Sequence, residues 1–189
     1  MDDLEQLRET ARAVCKPFPG SYWRELDQTG AFPAEFLKAF TEAGFVSTLV
    51  PEKYGGSGLG TMAGTAILEE IHATGADGAI AHAAMNAMTA FVRHGSPDLT
   101  KKWMPRILAG EKRFISFGVT EAAAGTDTTR ISTRAVRDGD RYRISGRKTW
   151  ISHADHTDLM LLLARTAPQT DQRTDGFSIF LIDVKDALK

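Results

Sequence analysis

The chain has 189 residues, 42% hydrophobic and 25% charged, with 23 Lys+Arg against 24 Asp+Glu and a formal net charge of −1. That is an ordinary globular composition, enough for one domain or two small ones, and its interspersed charges imply no general attraction to nucleic acid or to a membrane surface. Cys15 is the only cysteine, which excludes an internal disulfide, and no apolar run approaches the length of a membrane span.

In chain order, the acidic start Met1-Asp2-Asp3-Leu4-Glu5 is unlike a basic signal or transit peptide, so a bacterial cytoplasm is the expected location. Leu4, Leu7, Ala11 and Val14 recur at helical spacing until Lys16-Pro17-Phe18-Pro19-Gly20 stops the element. Pro33 opens a second helix in which Phe36, Leu37 and Phe40 share a face and which Gly44 ends. Residues 46–50 lead into a turn region at 54–60, after which Ile67, Leu68 and Ile71 mark a third helix. Asp77 caps a fourth that reaches about Arg93, and Ser96-Pro97 starts a fifth, with Leu99, Trp103 and Ile107 four apart and Gly110 closing it.

From Arg113 the hydrophobic period changes from helical to alternating, which puts a domain boundary between 112 and 113. Ile115, Phe117 and Val119 face one way, and Phe114 and Ser116 the other. Segments 131–137 and 141–144 flank Asp138-Gly139-Asp140, a hairpin turn; 159–164 reads as a strand buried on both faces, and 177–184 as another. The expectation is an α+β chain: an all-α domain over 1–112, then an incomplete β-domain over 113–189.

Several constellations carry little chemistry. Gly55-Gly56-Ser57-Gly58-Leu59-Gly60 lacks the Gly-Lys-Ser/Thr ending of a phosphate loop and reads as a structural turn. The five histidines show no metal-ligand spacing, His153 and His156 reading as turn residues, and no metal is expected. Glu69 and Glu70, adjacent on a helix, should diverge and form a polar face. The basic run Arg130, Arg134, Arg137, Arg141, Arg143, Arg147 and Lys148 is either a solvated hairpin face or a set of phosphate contacts.

The most informative residues are Phe117-Gly118-Val119-Thr120-Glu121-Ala122-Ala123-Ala124-Gly125-Thr126-Asp127, followed by Gly146-Arg147-Lys148-Thr149-Trp150-Ile151-Ser152. The first block leaves a strand and enters a small-residue loop carrying hydroxyls and acids. In the second, an extended backbone would turn Trp150 and Ser152 to one side, a plane beside a donor, as a flat heteroaromatic ring requires. Together the blocks resemble the flavin-binding signature of the acyl-CoA dehydrogenases. The resemblance also runs through 50–60, Leu68-Glu69-Glu70-Ile71 and 91–110, nearly the whole chain.

The resemblance implies an all-helical N-terminal domain followed by an antiparallel, barrel-like β-domain that is truncated here, with the family's C-terminal four-helix domain absent. It implies FAD-dependent oxidation of an acyl-CoA to a trans-2-enoyl-CoA, as in fatty acid metabolism. By the same resemblance Phe117, Val119, Thr120, Trp150, Ile151 and Ser152 contact FAD, while Thr126, Met85 and Thr89 contact the acyl substrate. Thr126 stands where serine is usual and Ser152 where threonine is common, so both hydroxyls are kept. Ala122 replaces a frequent proline. The family's catalytic glutamate is expected outside this chain, Glu121 being a loop residue. An electron-transferring flavoprotein is the implied acceptor, acyl-CoA or an acyl carrier protein thioester the substrate, and a homo-oligomer the full-length state. The alternatives are a flavin monooxygenase or acyl-CoA oxidase of the same fold, or a non-catalytic interaction fragment.

Overall fold

Helices build the first unit of the chain, Met1–Arg113, and a sheet builds the second, Phe114–Lys189; the computed structural model describes residues 3–187. The helices are α1 (Asp3–Cys15), α2 (Gly20–Thr29), α3 (Ala34–Glu42), α4 (Gly60–Ala73), α5 (Ala79–His94) and α6 (Pro97–Leu108). Their starts follow local chemistry. The Ser96 hydroxyl accepts from the Leu99 amide at 3.3 Å with Pro97 in the first turn, and Asp77 Oδ1 accepts from the Ala79 amide at 2.9 Å.

The core of the first unit is largely apolar. Phe36, Phe40, Ile67, Ile71, Ile80 and Met88 are all essentially inaccessible. Burying one such side chain contributes about 1.5–3 kcal/mol. On α6 the buried residues are Thr100, Met104 and Ile107, whereas Leu99 points outward, so only one member of the Leu99-Trp103-Ile107 series lies in the core. α2 has no counterpart in the sequence reading: none of its residues is buried, and its short apolar face of Tyr22, Trp23 and Leu26 is only half-buried. It is held by aromatic edges: Trp23 lies 5.0 Å from Phe36, and its Nε1 donates to the Phe18 carbonyl at 3.0 Å.

α1 and α4 are joined by charge as well as packing. Arg8 reaches Glu69 at 2.5 Å and Glu70 at 3.0 Å, and Arg12 reaches Glu70 at 2.7 Å. The two adjacent carboxylates therefore do not simply diverge into solvent, because the long arginine side chains of α1 reach both. Cys15, at the end of α1, is buried, and burial pushes its thiol pKa up.

The second unit contains β1 (Phe114–Gly118), β2 (Arg134–Asp138), β3 (Arg141–Ser145), β4 (Leu159–Arg165) and β5 (Phe177–Asp183), then a short helix α7 (Val184–Ala187). β2 and β3 form the expected hairpin, with Asp138 opposite Arg141 and Gly139 at φ 64°. β4 is central: it pairs antiparallel with β5 along its length and parallel with β1, and it meets β2 at Arg134–Arg165. The sheet is thus open and mixed, where an antiparallel, barrel-like sheet was expected, because the chain passes through the β2–β3 hairpin before returning beside β1 in the same direction. The alternation expected for β1 is also broken. Phe114, Ile115, Ser116 and Gly118 are all buried, and the pairing register shifts between Phe114 and Ser116.

Candidate functional site

β1 delivers the chain into the loop that begins at Val119, and the segment after β3 returns to meet it. The Thr149 amide donates to the Thr120 carbonyl at 2.9 Å. Lys148 Nζ donates to the Val119 carbonyl and to Glu121 Oε1, each at 2.9 Å. The Ser116 hydroxyl donates to the Ser152 carbonyl at 2.7 Å. Three links therefore join the two blocks, and a fourth ties the second block to β1.

Glu121 is the anchor of this arrangement. It is buried, closes a small turn with Ala124, and accepts from the Ser132 amide (2.6 Å), the Ser132 hydroxyl (2.6 Å), the Thr133 amide (2.9 Å) and the Thr133 hydroxyl (2.5 Å) as well as from Lys148. Burial opposes its ionisation, but the donors from Ser132, Thr133 and Lys148 outweigh that and hold the carboxyl well below the usual carboxylate range. A carboxylate offers about four lone-pair positions. All are taken, so Glu121 has no capacity left to accept a proton from a substrate.

The same network explains why the chain becomes strand-like only at Arg134, although alternation starts at Ile131: Ser132 and Thr133 give their amides to Glu121. Sequence reasoning missed Ser132 and Thr133, and it read Lys148 as part of the basic run where the structure pairs it with Glu121. The available signal was an acid in a loop of small residues, since a carboxylate is rarely buried unless it is paired.

Trp150 departs from its expected setting. The segment is not extended there: Trp150 has φ 58°, His153 has φ 56°, and Ser152 opens a turn over 152–156, so the strand argument for a shared side does not apply. What remains is an indole that is 91% exposed. Beside it, the Thr149 hydroxyl is buried without a hydrogen-bond partner. Ser152 is exposed, while Thr120, Ile151 and Phe117 are half-buried, with Phe117 paired to Leu161 in the sheet.

Of the residues expected at the substrate, Thr126 is exposed, and the following Asp127 caps a 3-10 turn by accepting from Thr129. Met85 and Thr89 belong to α5 in the helical unit. Met85 is 1% exposed and part of that unit's core, whereas Thr89 is exposed and its hydroxyl donates to the Met85 carbonyl at 3.0 Å.

The glycine-rich loop commits its amides from Gly55 to Leu59 to the chain itself. The amides of Gly55, Gly56, Ser57, Gly58 and Leu59 donate to the carbonyls of Glu52, Pro51, Ser47, Val50 and Thr48. Gly56 is required by close approach, since a Cβ there would fall 1.9 Å from the Val50 carbonyl oxygen. Of the basic run, Lys148 is the exception, being buried and paired; Arg134, Arg137, Arg141, Arg143 and Arg147 are exposed on or beside the hairpin. Among the described residues no three His, Cys, Asp or Glu side chains gather as a metal site, and no helix is long and apolar enough to cross a membrane.

Two family models cover the chain: the acyl-CoA dehydrogenase N-terminal domain matches residues 1–111 and the acyl-CoA dehydrogenase middle domain residues 116–188. The chain belongs to the acyl-CoA dehydrogenase family. A probable acyl-CoA dehydrogenase (fadE25) of Mycobacterium leprae is 31% identical over 186 residues, covering 98% of this chain and 47% of that protein. A 3-(aryl)acrylate reductase of Clostridium sporogenes is 31% identical over 183 residues, covering 96% of this chain and 48% of that protein. Among solved structures, a probable acyl-CoA dehydrogenase from Mycobacterium abscessus matches with a TM-score of 0.85 at 28% identity, over 98% of this chain and 49% of that one. The chain thus spans about half the length of the acyl-CoA dehydrogenase family members it matches.

Proposed function

We propose that the chain supplies the helical and sheet domains of an FAD-dependent enzyme that interconverts an acyl thioester and its trans-2-enoyl counterpart. The observation that carries this reading is Trp150: a large apolar plane left open to solvent, on a backbone conformation that costs about 1–2 kcal/mol for a residue with a Cβ. With the unpartnered Thr149 hydroxyl, the hydroxyl of Ser152 further along the segment, and that of Thr120, whose carbonyl accepts from the Thr149 amide, the residues fit a planar ligand with a polar edge. Bound FAD would supply a two-electron acceptor for the hydride leaving the β-carbon.

This chain's residues would do the rest of the work at that wall. Trp150 offers the plane, Val119 and Thr120 the main-chain and hydroxyl contacts, Phe117 and Ile151 apolar flanks, and Ser152 a donor placed before charge develops. Thr126, Met85 and Thr89 are proposed as substrate contacts. The α-proton must go to a base other than Glu121, whose lone pairs are committed. The proposal extends to a cytoplasmic homo-oligomer that passes its electrons to an electron-transferring flavoprotein. The two relatives described above are named for opposite directions, a dehydrogenase and a reductase, and the same wall serves either.

The decisive experiment uses the FAD-loaded protein. Stopped-flow reduction of its FAD by a panel of acyl-CoAs, without oxygen, should be about 10- to 1000-fold slower in Ser152→Ala, the range of a lost preorganised donor. The same protein should show quenching of Trp150 emission when FAD is added. An unchanged reduction rate and an unquenched indole would together reject the site. Rapid turnover in air with no other acceptor would favour the oxidase or monooxygenase reading.

A further inference from the structure

We infer that Lys148 is a positioning residue, which with Glu121 as its anchor fixes the Trp150 indole where a planar ligand can lie on it. The inference rests on the flavin reading of Trp150 for its purpose, but its geometry stands apart from it. The Lys148 ammonium bridges the Val119 carbonyl and the Glu121 carboxylate at 2.9 Å each, with only 9% and 5% of the two charged side chains exposed. The next residue, Thr149, gives its amide to Thr120. Residues 148 and 149 are thus locked to 119 and 120, and residue 150 follows with its backbone at φ 58°.

The indole itself is 91% exposed, so packing contributes almost nothing to its placement. Its position is set through the backbone. A left-handed, non-glycine conformation persists only where the surroundings over-determine it. Here those surroundings are the two bonds of Lys148 and the one of Thr149 before Trp150, and the Ser116 hydroxyl on the Ser152 carbonyl after it. Pre-ordering of this kind raises affinity by removing the cost of ordering at the moment of binding.

The two members of the pair are not equivalent, and that makes the inference testable. Without Lys148, Glu121 keeps four donors from Ser132 and Thr133, so the turn that ties the loop to the start of β2 survives. Without the Glu121 carboxylate, four donors and a buried ammonium lose their common acceptor at once, which is the more damaging loss. Lys148→Met should therefore separate positioning from folding, while Glu121→Gln should compromise both.

The test is backbone relaxation by NMR on this chain. Order parameters at the Thr149, Trp150 and Ile151 amides should be near 0.85 in the wild type and fall below about 0.6 in Lys148→Met, while Leu161 in β4 stays rigid. Lys148→Arg, which keeps a cation able to donate to both acceptors, should restore them. Unchanged order at residues 149–151 would overturn the inference. So would loss of order that spreads to Leu161, or failure of Lys148→Met to fold, since each makes Lys148 a fold residue only. A parallel FAD titration separates the two ideas: Lys148→Met should bind about tenfold more weakly than wild type. A wild-type chain that binds no FAD removes the purpose while leaving the order parameters to decide the positioning.

Discussion

Gly146 lies so close against Thr133 that a Cβ on it would come within 2.2 Å of the Thr133 hydroxyl and 2.7 Å of its Cα. The glycine is thus what lets the second motif block run over the residues that bind Glu121. The close approach involves backbone as well as a side-chain tip, so a larger residue cannot be accommodated by a simple rotamer change.

Gly146→Ala should destabilise the sheet unit by about 1–3 kcal/mol, the usual range for overpacking. Gly125→Ala is the matched control, because a Cβ there meets nothing within 4 Å and its φ is not positive. It should stay within about 0.5 kcal/mol of wild type. Urea unfolding followed by circular dichroism measures both, and equal effects would place the close approach elsewhere.

A second expectation concerns acid. Glu121 has its folded pKa well below the ordinary value, so it contributes stability that is fully present above its unfolded pKa, near pH 4.3, and is lost as pH falls through the folded value. Glu121→Gln removes that contribution. The stability gap between wild type and Glu121→Gln should be widest near pH 7 and narrow steadily below about pH 4.3. Denaturation curves at pH 7, 5, 4 and 3 read it directly. A gap that stays constant across that series would mean that the lost hydrogen bonds, not the charge, account for the effect.

On α5, Met85 and Thr89 are one turn apart yet differ in kind. Met85→Ala should cost about 2–5 kcal/mol, because it empties a fully buried site. Thr89 is exposed and donates to a carbonyl of its own helix, so it tolerates substitution and is the better probe of the acyl pocket. In the FAD-loaded protein, Thr89→Phe should lower kcat/KM for long acyl-CoAs relative to short ones. If that ratio does not move, Thr89 is not a substrate contact.

What the sequence reveals depends on whether a residue's role is local. The α6 cap at Ser96-Pro97, the hairpin turn at Gly139 and the strand at β4 are each decided within a few residues and are legible, although β4 buries only Leu159, Leu161 and Ala164 where burial on both faces was expected. α2 is not, since its packing depends on Phe36 of another helix and it has no buried stripe of its own. The parallel partnership of β1 with β4 is also hidden, because pairing partners leave no mark in either strand alone. At the candidate site the motif singles out the two segments that meet, but the Lys148–Glu121 link and the left-handed Trp150 come from long-range geometry. They contradict the local expectation of an extended strand. Such a departure is expected where a backbone is held for a purpose other than its own stability.

That last point can be measured at Trp150 itself. A left-handed residue with a Cβ costs about 1–2 kcal/mol, and glycine relieves that cost while adding about 0.5–1 kcal/mol of chain entropy. The exposed indole buries almost nothing, so its removal leaves no cavity. Trp150→Gly should therefore be neutral or slightly stabilising, within about 1 kcal/mol of wild type, and the melting temperature of the sheet unit should not fall. A residue that costs stability and returns no packing is one that function retains. FAD affinity should move in the opposite direction, weakening by about tenfold or more as the aromatic contact disappears. Calorimetric melting and FAD titration of the same Trp150→Gly sample test both halves. A large loss of stability would show that the indole packs against the protein after all, and an unchanged affinity would show that it is not where the flavin rests.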